Sequence, residues 1–268
     1  MSILGEYQLG RKIGSGGDGI VVEIIHLQSR QKLACKIIPS KSVKQEEIEI
    51  WRDLSGHPNV LGLRNVHRHK GKFYMMTDLC EGGDLCSYLI NHANAPLSHQ
   101  NAACIIKSLM EALQHCHGMG VVHRDVKLDN ILLNSQTNFS DIKLGDFGLA
   151  APFSQGELLY HDVGTLQYVA PEVLLWEGYS KEVDIWSAGI VLFCLLTGCF
   201  LYDSGDSEDI REQIKTANTQ LDIDEDVGIP SQAKDLLKGM LNKNVKERFT
   251  TNQILCHPWI LENTSRHG

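Results

Sequence analysis

In the first third of the chain, hydrophobic and polar positions alternate over short runs, each bounded by turn residues. Residues 7–13 and 20–26 flank a glycine cluster, 32–38 follow a polar turn, and 61–67 and 73–78 complete five short predicted strands. One helix is predicted among them over 42–54, with Ser42 as its N-cap and Gln45 three residues on. Beyond Gly83 the period changes from two to that of a helix. Ala102, Ile105, Ile106, Leu109, Leu113 and Cys116 recur at helical spacing behind a Ser98 cap. Further helices are predicted over 183–197, 207–216, 231–241 and 250–256, and 121–149 reads as short strands and loops rich in charge. The fold class is α+β, a small sheet-rich lobe and a larger helical lobe joined near residues 79–83. Ligand sites favour such junctions.

Composition then removes whole classes of function. The 268 residues carry 25 Lys+Arg against 33 Asp+Glu, a net charge of −8. A surface of that sign repels polyanions, and no block of five basic residues offsets it, so nucleic acid is not an expected partner. No run approaches the roughly 18 apolar residues of a membrane span. The longest, 188–196, suits a buried helix, and the first dozen residues hold Glu6, Arg11 and Lys12 where a signal peptide would be apolar. Neither a membrane nor a leader is expected. Eight scattered cysteines without a C-x-x-C pair fit neither a disulfide scaffold nor a zinc cluster. Most lie among apolar residues and are expected to be small buried hydrophobes. The expectation is a reduced, intracellular protein of the cytoplasm or nucleus.

The chemistry begins in the glycine cluster, Gly14-Ser15-Gly16-Gly17-Asp18-Gly19-Ile20-Val21, which Ile13 leads into. A lone G-x-G-x-x-G is weak evidence, since any glycine-rich hairpin can match it. A dinucleotide fold would place a helix after it. Here a strand follows, which favours a hairpin folded over phosphates with its backbone N–H groups close to them. Ala34-Cys35-Lys36 then ends the third strand with a lysine inside an apolar run. Lys36 is either a snorkelling surface lysine or a cation held on the α- and β-phosphates by a helix carboxylate, for which Glu47 is the candidate.

His123-Arg124-Asp125-Val126-Lys127-Leu128-Asp129-Asn130 and Asp146-Phe147-Gly148, following in order, decide between these. The sequence resembles the eukaryotic protein kinases over essentially its whole length. Ala170-Pro171-Glu172, the run from Asp184 to Gly189, and Arg248 match as well. The resemblance is closest to the calcium/calmodulin- and calcium-dependent branch. Within that branch, residues 115–122 and 256–260 are most similar to the plant phosphoenolpyruvate-carboxylase kinases and related kinases.

The resemblance implies a bilobal fold, with a five-stranded antiparallel sheet and one helix over 1–80 and a mainly helical lobe over 81–268. It implies ATP and Mg²⁺ as cofactors and a protein substrate, basic near its acceptor, for a monomeric enzyme. Asp125 would accept the substrate hydroxyl's hydrogen bond and take its proton, Lys127 would reach the γ-phosphoryl oxygens, and Asn130 and Asp146 would hold Mg²⁺. Lysine at position 127 is the Ser/Thr-specific pattern. Thr77 would be the gatekeeper. The Asp78 carbonyl and Cys80 backbone would bind adenine, sandwiched by Val21, Ala34 and Leu132. Asp84 would contact ribose or a substrate arginine, with Asp129 beside it; otherwise both are solvated acids. Glu172 with Arg248 would form a buried structural pair, and Asp184 would brace the catalytic loop.

Several positions depart from the family pattern. Asp18 replaces the aromatic at the glycine-loop tip, Leu128 replaces the usual proline, and Phe200-Leu201-Tyr202 stands where relatives carry Pro-Pro-Phe. Glu47 follows Lys36 by only 11 residues, so the helix must be short. Residues 222–228 suggest an EF-hand but have glycine one place late and Ala233 at the bidentate position. His161, next to Asp162, occupies the place of the phosphorylated threonine. Arg124 would then meet either a fixed acid such as Asp162 or a neutral loop packed by its own contacts. The sequence stops eight residues after Ile260, too few for an autoinhibitory helix. The expectation is a constitutively active Ser/Thr kinase. The alternative is a scaffold of the same fold without turnover; a small-molecule kinase fits Gly164-Thr165 and the Ala-Pro-Glu segment less well.

Overall fold

The alternating segments pair into one antiparallel sheet in a computed structural model, which describes residues 2–3, 5–16, 19–42, 45–216 and 228–265. Its strands are β1 (Ser2–Ile3), β2 (Tyr7–Gly16), β3 (Gly19–His26), β4 (Lys32–Pro39), β5 (Leu63–His69) and β6 (Lys72–Asp78), in the order β1-β2-β3-β4-β6-β5. The five expected strands are all present. A two-residue edge strand adds a sixth, through the pairs Ser2↔Gln8 and Ile3↔Tyr7. Period 2 sorts the faces. Tyr7, Val22, Ile24, Leu33, Cys35 and Met76 form a core of their own on one face. Register places Val21 beside Lys36, and Ala34 beside Thr77, on the other. β5 starts two residues later than expected, because the Leu61 N–H bonds to Leu144 O and not to β6.

Helix α1 (Gln45–Leu54) buries Ile48, Trp51 and Leu54; Ser42 precedes it, and the intervening residues 43–44 lie outside those described. After β7 (Gly83–Asp84) come α2 (Leu85–Asn91) and the long α3 (His99–Gly118), whose Ser98 cap accepts the Asn101 N–H at 3.2 Å. Short strands β8 (Val121–Val122), β9 (Ile131–Leu133), β10 (Ile142–Leu144) and β11 (Ala151–Pro152) frame the charged stretch. The remaining helices are α4 (Pro171–Leu174), α5 (Glu182–Thr197), α6 (Ser207–Thr216), α7 (Ser231–Met240), α8 (Thr251–Leu255) and α9 (Pro258–Thr264). α5 is buried on nearly every side, as its apolar run requires. Of the EF-hand-like residues 222–228, all but Gly228 lie outside the described residues.

A second, larger core runs through both lobes. It joins Ile48, Trp51 and Leu54 of α1 to α3, α5 and Phe147, and Phe147 packs 5.9 Å from Trp51 and 5.0 Å from His123. Glu172 and Arg248 form the expected buried pair, Nη1–Oε1 2.6 Å and Nη2–Oε2 2.9 Å. All eight cysteines are free thiols. Four are buried, Cys80 and Cys86 are half-buried, and Cys199 and Cys256 are exposed, a smaller buried share than their apolar neighbours suggested. No described helix is long and apolar enough to cross a membrane.

Candidate active site

The sheet's inner face and the β9–β10 region enclose a cleft of about 480 Å³. Ile13, Gly14, Val21, Ala34 and Lys36 line it from the sheet, Thr77, Asp78, Cys80 and Asp84 along the link, and Asn130, Leu132 and Asp146 from the helical lobe. Ser15, Gly16, Gly19 and Ile20 form the hairpin beside it, in the pairs Ser15↔Ile20 and Gly16↔Gly19. Glycine is required at 19, where a Cβ would come 2.2 Å from Ile37 O. Gly17 and Asp18 lie outside the described residues.

Thr77 is 5% exposed, and its hydroxyl donates to Asp78 O at 3.2 Å. The Asp78 carboxylate is gripped from β5 by Arg64, at 2.8 and 3.0 Å. Arg64 carries no mark in the sequence, because a partner 14 residues away leaves no local pattern.

Lys36 Nζ donates to Asp146 Oδ1 at 2.8 Å. Burial pushes the Asp146 carboxyl up, but the Lys36 charge and hydrogen bond, helped by His123 and the Gly148 N–H, outweigh it and hold it below the ordinary carboxylate range. Glu47 of α1 reaches the same corner, with Oε1 3.6 Å from where a Cβ on Gly148 would sit. The lysine is thus a member of the site and not a surface snorkeller.

The loop from His123 to Asn130 hangs from α5. Asp184, fully buried, accepts the His123 and Arg124 N–H groups, each at 2.9 Å, and His117 Nε2 at 2.8 Å. Burial alone would raise its pKa; the His117 hydrogen bond and charge, with His123, bring it below the usual value. Arg124 has φ 66, a left-handed conformation that costs energy in a non-glycine residue and is fixed here by those bonds. Asp125 follows. Its Oδ1 accepts Thr165 Oγ1 at 2.9 Å, and its Oδ2 accepts Asn130 Nδ2 at 3.0 Å and faces Lys127 Nζ at 2.8 Å. Lys127 Nζ also donates to Thr165 Oγ1 at 2.8 Å. Both carboxylate oxygens are therefore fixed in direction.

Asp84 spends both oxygens on Ser87, at 2.7 and 2.8 Å, and caps α2. Arg124 does not meet Asp162, which lies 3.7 Å from Arg211 of α6. Its guanidinium donates to Leu149 O at 2.6 Å and to Tyr179 Oη at 3.3 Å, so the loop packed by its own contacts is the arrangement found.

The donor set suits a nucleotide with a hard cation. Asn130 and Asp146 offer an amide and a carboxylate oxygen on neighbouring segments, the Gly145 N–H donating to Asn130 O at 2.9 Å. Among the described residues no three His, Cys, Asp or Glu side chains gather into a metal cluster. A cation here would complete its shell from phosphate and water, as Mg²⁺ does.

The protein kinase domain family matches residues 7–260. The chain belongs to that family. The kinase chain is 40% identical over 264 residues to the Arabidopsis thaliana serine/threonine-protein kinase PEPKR2, which covers 97% of it and 54% of the relative. It is 36% identical over 265 residues to calcium-dependent protein kinase 12 of Arabidopsis thaliana, covering 96% of it and 54% of that protein. Calcium-dependent protein kinase 2 of Oryza sativa subsp. japonica is 35% identical over 265 residues. This kinase chain spans about half the length of the curated relatives it matches.

Proposed function

We propose that this chain is a serine/threonine protein kinase domain that uses ATP with Mg²⁺ and works without a phosphate on its activation segment. The observation that carries the proposal is the Asp125 carboxylate, held by Thr165, Asn130 and Lys127, together with the Lys36–Asp146 pair lining the adjoining cleft. Phosphoryl transfer passes through a loose transition state, so positioning and charge neutralisation do most of the catalysis. Asp125 orients the acceptor hydroxyl and takes its proton, and the bonds to both its oxygens keep it from turning away. Lys127 places positive charge beside the proton-accepting carboxylate, where the transferred group arrives. Asn130 and Asp146 would hold Mg²⁺, which when bound neutralises charge on the phosphate oxygens. Lys36 would bring its ammonium to the phosphates from its place on Asp146.

Lysine at 127, and the Ser/Thr specificity that the name PEPKR2 declares for that relative, support Ser/Thr acceptors. Asp84 and Asp129 on the cleft rim support a substrate basic near its acceptor. The test is to incubate the protein with labelled ATP, Mg²⁺ and a degenerate peptide library, with Asp146→Ala as control. The expected result is label on serine and threonine peptides rich in Lys or Arg, and none with the variant. Equal labelling by both proteins, or none by either, would refute the proposal.

A further inference from the structure

The segment from Phe147 to Glu172 has His161 where a phosphorylated threonine would serve, yet it is anchored to the catalytic loop. We propose that Tyr179 is the positioning residue that holds this segment in its working shape, doing with a neutral hydroxyl what a phosphate does where such loops are ordered by phosphorylation. The inference rests on the kinase reading above.

Four bonds carry it. The Tyr179 N–H donates to Leu159 O at 3.0 Å, and the Leu159 N–H donates to Tyr179 O at 2.8 Å, an isolated antiparallel bridge. The Tyr179 hydroxyl donates to His161 O at 2.8 Å and accepts from Arg124 Nη1 at 3.3 Å. Tyr179 is only 4% exposed, so these bonds meet little competition from water. Gly178 brings the chains this close: a Cβ there would fall 2.9 Å from the Tyr160 ring.

The link runs directly to the chemistry. Arg124 precedes Asp125, its backbone is fixed by Asp184, and its guanidinium also holds Leu149 just past Asp146-Phe147-Gly148. Thr165, which holds Asp125 Oδ1, follows four residues after His161. One hydroxyl thus ties the base's loop to the segment that carries the base's partner. The nearby acid, Asp162, faces Arg211. Phosphorylation orders a segment by adding charge that an arginine can grip. Here the arginine is already gripped, and the device has no off position that a phosphatase could reach.

Tyr179→Phe keeps the ring and the backbone bridge and removes only the hydroxyl. In phosphatase-treated protein, kcat per active site, with the sites counted by nucleotide binding, should fall about tenfold while KM for ATP stays within about twofold; counting the sites separates this from loss of folded protein, which lowers the apparent kcat at the same KM. Amide exchange should quicken over residues 157–163 and not in α3 or α5. Adding Tyr179→Phe to Arg124→Met should cost little beyond Arg124→Met alone, because both break one link. Unchanged kcat and exchange in Tyr179→Phe would overturn the inference, as would a general fall in melting temperature with exchange quickened throughout. If the unaltered protein transfers no phosphate, the kinase reading fails, while the exchange comparison still decides whether the hydroxyl orders the segment.

Discussion

Thr77 shows how much one side chain decides at the back of the cleft. It is buried, lines the cavity, and turns its hydroxyl onto the Asp78 carbonyl. Thr77→Phe would fill the space behind the adenine place without touching Lys36 or Asp146. An inhibitor that reaches behind the adenine should lose at least about tenfold in affinity, roughly 1.4 kcal/mol, while KM for ATP moves only a few-fold. Equal inhibition of both proteins would show that the back pocket lies elsewhere. Residues at this scale were legible in the sequence where chemistry is packed into a short span, as in His123 to Asn130, because close spacing fixes relative geometry. Thr165 shows in the sequence only as a companion of the Ala-Pro-Glu segment, not as a partner of Asp125, and Tyr179 does not show at all. Their partners Asp125 and Arg124 lie 40 and 55 residues away, and nothing local marks such a pair. Asp84 is marked in the sequence by its charge and does line the cleft; that it also caps α2 shows only in the fold.

Elements are fixed to one another by few but deeply buried polar contacts. Arg248 holds Glu172 of α4 through two bonds, donates to Glu182 O at the start of α5, and lies 5.2 Å from the Trp186 ring. Removing one partner of such a pair leaves the other charge buried, at a cost of about 3–5 kcal/mol. Arg248→Met should therefore lower the urea midpoint sharply, while the protein that remains folded keeps its KM for ATP; an unchanged midpoint would contradict this. Most of the elements legible in the sequence have several turns; the five-residue α8 does not, and is marked instead by its Thr250 start. The predicted 207–216 matches α6, and the predicted 250–256 frames α8, with Thr250 and Gln253 closing a capping box. The short helices α2, α4 and α9 span four to seven residues, too few for a period to show. Two of them start at proline, which suits a first helical turn as well as it suits a loop.

At the scale of the whole molecule, the two textures of the sequence correspond to the two lobes, but their joining was hidden. The sheet's own core is small, and the larger core passes from α1 through Phe147 into α3 and α5. Which apolar faces meet is a long-range matter that periodicity does not encode. This shared core sets Lys36 of one lobe against Asp146 of the other, so the cleft exists only in the assembled molecule. If this cleft transfers phosphate with Asp125 as the base, removing the carboxylate must slow the transfer and spare the binding of nucleotide. The most direct measurement compares the unaltered protein with Asp125→Asn in one preparation, recording both peptide phosphorylation and nucleotide binding. General-base catalysis is worth about 10²–10⁴ in rate, so Asp125→Asn should lose at least about a hundredfold in kcat while nucleotide affinity stays within a few-fold. An Asp125→Asn variant that turns over like the unaltered protein would rule out Asp125 as the base.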